Sequence, residues 1–167
     1  DLDTGEFSDE RRVDQFERLK DAQKRVLDLT HWHDFLNTLR LSGYVGGRFV
    51  SSQNNLIFAY ILYLIGRTEY RVDEHDLRVA IAQWFFVSSL TGRFAGAPES
   101  AMEFELARFR RVDSGDEFLA VLKAVSDAEL TSDFWSITLP NLLATSAARS
   151  PSLFAYYASL VLLEARG

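Results

Sequence analysis

From Val79 to Leu90 only Gln83, Ser88 and Ser89 interrupt a run of apolar residues. A helix that is apolar almost all round has to be covered on more than one side, so this segment predicts the centre of a core. Asp73 is placed to cap its start. The stretch Thr91 to Gly96 sets two glycines around Arg93 and Phe94 and predicts a tight turn. A second helix then opens with Pro98, whose missing N–H costs nothing in a first turn, and Glu99, which suits the positive helix start. A similar apolar helix is predicted from Ser51 or Ser52, as cap, to about Ile65, ending at Gly66. The two apolar helices form the expected central pair.

The flanking chain is amphipathic. Val13, Phe16, Leu19, Ala22, Val26 and Leu29 recur at spacings of three and four, which marks one face of a helix with a solvated opposite face. Trp32, Phe35, Leu36 and Leu39 continue the pattern, with a helix restart favoured near Thr30. Residues 1–7 read as a frayed start. Gly43, Gly46 and Gly47 break the pattern, and GYVGGRFVSSQN reads as a loop. The helix over Ala101–Val112 is followed by Ser114 and Glu117 at capping-box spacing, then by the apolar stripe Phe118, Val121, Leu122 and Val125. Thr131 or Ser132 can start another helix that Pro140 should kink or restart near Asn141. Ser150 and Pro151 form a cap and first-position pair for the last helix. No alternation of strand length recurs, so the prediction is all-α: a single-domain bundle of about six to eight helices over residues 1–167.

Composition narrows the class. With 167 residues, 47% hydrophobic and 13% aromatic, the chain can bury a sizeable core. The only Met, at position 102, predicts an excised or processed piece of a longer protein. A net charge of −6 argues against a strongly basic nucleic-acid domain but leaves room for a local basic patch. The absence of Cys excludes disulfides and thiolate metal sites. The apolar runs at 56–65 and 152–163 fall short of the roughly 20 residues that span a bilayer, so no membrane partner is expected.

Candidate chemistry is sparse. His31 and His33 flank Trp32, but on a helix two positions point about 200° apart, which disfavours joint metal ligation. His75 reads as a solvated, charge-matched side chain in an acidic helix start. GYVGGR lacks the Lys-Ser/Thr ending of a P-loop and a preceding strand. Glu99 and Glu103 share an exposed face with no apolar pocket to raise a pKa, so an acid–base pair with Glu105 is disfavoured. No metal, cofactor or catalytic residue is assigned. Arg108, Arg110 and Arg111 close an acidic helix. They either complement its dipole and pair with Glu103, Glu105 or Asp113, or form a phosphate-contacting patch with Arg93. Arg93 itself is expected to pair with Glu99, with a DNA contact as the alternative.

One block is more specific. The pattern W-F-x-x-S-S-L-x-G-R-[FY]-x-G followed by a Glu, carried by Trp84, Phe85, Ser88, Ser89, Leu90, Gly92, Arg93, Phe94, Gly96 and Glu99, resembles the helical region of the bacterial DUF262 family, the GmrSD-type restriction proteins. SPSLFAYYASLVLLEARG resembles the helix that precedes an HNH-type nuclease segment in such proteins. The resemblance covers residues 35–167. It implies a cytoplasmic DNA restriction or phage-defence protein whose N-terminal ParB-like D-G-Q-Q-R region is linked to nucleotide hydrolysis or sensing and which, in many members of the family, ends in an HNH-type nuclease. Neither catalytic motif occurs in this sequence, so the resemblance implies a non-catalytic connector or scaffold, partnered by other domains of its parent and able to form a homodimer. Two further readings remain open. One is a DNA-contacting module using the arginines. The other is a ligand-binding bundle in which Tyr60, Tyr63, Trp84, Tyr156 and Tyr157 line a pocket.

Overall fold

In the computed structural model, which describes residues 9–47, 50, 52–94, 98–144 and 150–165, helix α3 (Gln53–Thr68) packs along α4 (Glu74–Leu90). Both are apolar around most of their circumference, and α4 also meets α6 (Gly115–Glu129) and α8 (Pro151–Glu164). The core is built where these faces meet. Phe58, Leu62 and Tyr63 of α3, Leu77, Ile81 and Phe85 of α4, and Phe118 and Leu122 of α6 are essentially inaccessible to solvent. The remaining helices are α1 (Asp9–Val26), α2 (Leu29–Arg40), α5 (Pro98–Ala107) and α7 (Leu139–Ala144). A π-helical turn at Phe134–Thr138 runs into α7. The architecture is all-α, with eight α-helices and no strand among the described residues. None of these helices is long and apolar enough to cross a membrane.

The chain divides into two compact units, Asp1–Asp34 and Phe35–Gly167, with the boundary inside α2. The physical correlate is that α1 contributes no buried residue. In the first unit, α1 stops at Val26 and Asp28 accepts a 2.8 Å hydrogen bond from the Thr30 N–H. That bond holds the Asp28 carboxyl below the usual carboxylate range. The helix thus restarts as the pattern predicts, with Asp28 as the capping side chain. The expected frayed residues 1–7 lie outside the described residues.

In the second unit the caps carry most of the local logic. Ser52 accepts from the Asn55 N–H, Asp73 from the His75 and Asp76 N–H groups, and Ser114 from the Glu117 N–H. Glu117 accepts in turn from the Asp113 N–H at 2.9 Å. Ser150 departs from expectation, making no side-chain cap bond before Pro151. Gly66 does not end α3. It lies inside the helix, and a Cβ there would sit 2.5 Å from Leu77 Cδ1 and 2.8 Å from Phe118 Cε1, so the glycine permits close approach of α4 and α6. α5 ends at Ala107, short of the predicted Val112. The Arg108, Phe109 and Arg110 N–H groups tighten to carbonyls three residues back, and Phe109 turns in against Phe118, with ring centres 5.1 Å apart. Around Pro140 the restart comes at Leu139, whose N–H reaches the Phe134 carbonyl five residues back. This widened turn accommodates the N–H that proline lacks.

Candidate functional site

The site is the end of α4 and the turn after it. Trp84 is buried, with its ring centre 5.7 Å from Phe58 and 6.0 Å from Phe94, and Phe58 lies 5.2 Å from Phe94. This aromatic cluster pins the turn to α3. Gly92 has a φ of +64°, a conformation glycine adopts without steric cost. With it, the Arg93 N–H bonds the Ser88 carbonyl at 3.1 Å and the Gly92 N–H bonds the Ser89 carbonyl at 3.3 Å. These are the paired bonds of a Schellman ending, which satisfy carbonyls the helix leaves open.

The turn aims Arg93 into a carboxylate cluster. Its guanidinium donates to Glu105 of α5 at 2.5 Å and to Glu129 at the end of α6 at 2.9 Å. The Arg93 side chain is 14% exposed, Glu105 only 4% and Glu129 36%. Arg108 Nε approaches the same Glu105 at 3.4 Å, and its guanidinium lies over the Phe104 ring at 4.8 Å. Two arginines therefore share a buried carboxylate, a pairing that keeps the cluster's charge balanced.

The expected partner of Arg93 was Glu99, and the structure corrects that. Glu99 is exposed in the first turn of α5. Six positions separate it from Glu105, so the two point about 240° apart around the helix, and only Glu105 faces Arg93. Gly96 of the motif lies outside the described residues. Of the arginine group, Arg93 and Arg108 are committed to carboxylates, whereas Arg110 and Arg111 are exposed in the turn after α5.

Across the α3–α4 contact lies a polar group that sequence reading did not assemble. Asn55 donates from Nδ2 to Ser89 Oγ at 2.8 Å, and the Ser88 hydroxyl donates to Asn55 Oδ1 at 2.8 Å. All three residues are buried. The signal was present: Ser88 and Ser89 are polar in an apolar helix, and buried hydroxyls require partners. What was missing was the position of Asn55. Tyr44 lies beside Ser89 with its hydroxyl buried and without a well-formed hydrogen bond, and burial pushes the phenol up to about 12. A cavity of about 430 Å³ adjoins this group, lined among others by Asn54, Asn55, Ser88, Ser89 and Phe94, and none of the described residues that line it is charged.

The aromatic-pocket reading is not matched by placement. Tyr60, Tyr63 and Trp84 are packed in the core, whereas Tyr156 and Tyr157 are exposed. Tyr156 edges a separate cavity of about 170 Å³ with Trp135, Leu139 and Leu143. His33 and His75 are exposed, and His31 Nδ1 lies 3.4 Å from the Arg25 carbonyl oxygen. No cluster of three or more His, Cys, Asp or Glu side chains suited to a metal occurs among the described residues. Comparison with protein-family models, curated proteins and solved structures finds no match.

Proposed function

We propose that this chain is a non-catalytic helical connector of a GmrSD-type DNA restriction or phage-defence protein of the cytoplasm, a rigid piece that holds the parent's other domains in fixed relation. The observation that supports it is the inward commitment of Arg93. Within the motif this is the residue best equipped to grip a phosphate, and its fork is occupied by Glu105 and Glu129. The turn that carries it ties α4 to α5 and α6. Such an arrangement favours stiffness over reactivity.

Fluorescence anisotropy of the chain with labelled duplex DNA, at low and high salt, tests the non-DNA-binding part of the reading. A connector gives no salt-sensitive binding. Binding that falls steeply with salt and disappears in the R108A/R110A/R111A variant reassigns the chain as a DNA-contacting module. The defence assignment is tested by phage plating on cells that express the reading frame encoding this chain. Reduced plating efficiency that Arg93→Ala restores to control level supports it; plating unchanged by the intact reading frame removes it.

A further inference from the structure

The cavity beside the Asn55 group is rimmed by the starts of two helices. Ser52 to Asn55, the cap and first turn of α3, line it, and so does Pro151, the first residue of α8. In α3 the Ser52 side chain takes the Asn55 N–H, which leaves the Gln53 and Asn54 N–H groups without an intrahelical acceptor. In α8 Ser150 makes no side-chain cap bond, and the Ser152 and Leu153 N–H groups are open in the same way. Each helix start is equivalent to about half a positive charge.

The wall of the cavity points the same way independently of the helix starts. Ser89, 6% exposed, accepts from Asn55, and its own hydroxyl proton bonds to none of the described residues. Beside it the Tyr44 hydroxyl, on a side chain 5% exposed, has no partner either. If one of these two hydroxyls donates to the other, one buried proton is still left over. The Asn55 amide holds a second Nδ2 proton beyond the one given to Ser89. Buried donors in excess, with no carboxylate among the described lining residues, select a ligand that brings acceptors.

We propose that the cavity binds a small organic molecule through its carboxylate, which the Ser89 hydroxyl and the Asn55 amide hold between the starts of α3 and α8. A single negative charge matches the two half charges of the helix starts. The chain's net charge of −6 and the uncharged lining disfavour a dianion such as phosphate. Gly92, Phe94 and Pro151 give the ligand's body an apolar surface, and about 430 Å³ leaves room for a ring beyond the carboxylate. The site goes beyond the connector role and does not depend on it.

The test is a titration of the full chain with para-fluorobenzoate, followed by fluorine NMR, beside neutral para-fluorobenzyl alcohol and inorganic phosphate. Saturable binding of the carboxylate at one site per chain is expected, with the alcohol at least about tenfold weaker. Q53E/N54D sets like charge against the ligand, yet acidic residues suit a helix start. It should weaken carboxylate binding by about tenfold or more with the melting temperature unchanged or raised, so lost binding cannot be laid to misfolding. Ser89→Ala should weaken binding by about tenfold through loss of the buried donor. Absence of saturable carboxylate binding, equal binding of the alcohol, preference for phosphate, or affinity unaltered in Q53E/N54D each overturns the proposal.

Discussion

Removing the Arg93 guanidinium is expected to destabilise the fold through the carboxylate it leaves behind. Glu105 is 4% exposed and cannot recover water where it stands. Breaking a buried ion pair by deleting one partner costs about 3–5 kcal/mol. Two features move this site to the lower end. Arg108 remains 3.4 Å from Glu105, and Glu129, at 36% exposure, can be hydrated once released. Arg93→Ala is therefore expected to cost about 3 kcal/mol, which lowers the melting temperature of a chain this size by roughly 6–12 °C. Arg93→Lys keeps the charge but lacks the planar fork that spans two carboxylates, and should lose about 1–2 kcal/mol. The decisive variant is R93M/E105L, which replaces both buried charges with apolar side chains. It should return to within about 1 kcal/mol of the parent. Urea unfolding followed by circular dichroism reads all three. A loss below about 1 kcal/mol for Arg93→Ala, or a double variant no more stable than Arg93→Ala, would refute the reasoning.

Gly43 has a φ of +83°, and a Cβ there would lie 2.1 Å from the Ala158 carbonyl oxygen. Gly43→Ala should accordingly cost more than about 3 kcal/mol in a thermal melt, whereas Gly47→Ala, which meets nothing within 4 Å, stays within about 0.5 kcal/mol. The raised Tyr44 phenol makes stability sensitive to alkali. The folded chain keeps a proton that the unfolded chain loses above about pH 10, so the contribution is complete below that pH. It is lost as pH climbs through about 12 and amounts to roughly 2–3 kcal/mol. Tyr44→Phe should therefore flatten the alkaline fall in urea stability without abolishing it, since the Tyr70 phenol is also raised, mainly by its own desolvation. Asn55→Leu should cost about 1–3 kcal/mol by removing the partner of the Ser89 hydroxyl, while the Ser88 hydroxyl keeps its bond to the Phe85 carbonyl; chemical denaturation of N55L/S89A should show most of that loss recovered.

The architecture was legible wherever a local rule acted alone. The apolar circumference of α3 and α4, the caps at Ser52, Asp73 and Ser114, and the break before α2 all follow from neighbours within a few positions. What escaped was decided by distant residues. Gly66 reads as a helix terminator until Leu77 and Phe118 are seen to need its space. Arg93 reads as a partner for the next acid along the chain, whereas its carboxylates lie 12 and 36 positions away. Helical phase could have excluded Glu99 once Glu105 was considered, but nothing local brings in Glu129. The stripe on α1 was visible from spacing, but that α1 buries none of its residues was not, because periodicity marks an apolar face without naming what lies against it.

The contact between α3 and α4 has a consequence for how many ways this chain can collapse. Leucine and phenylalanine tolerate sliding, and two helices apolar all round could settle at several offsets of similar energy. Advancing α3 by one turn, about 5.4 Å, would carry the Asn55 amide away from Ser88 and Ser89 and cost the amide both of these partners. The three polar side chains thus act as a key with one seating, excluding misaligned compact states that burial alone would accept.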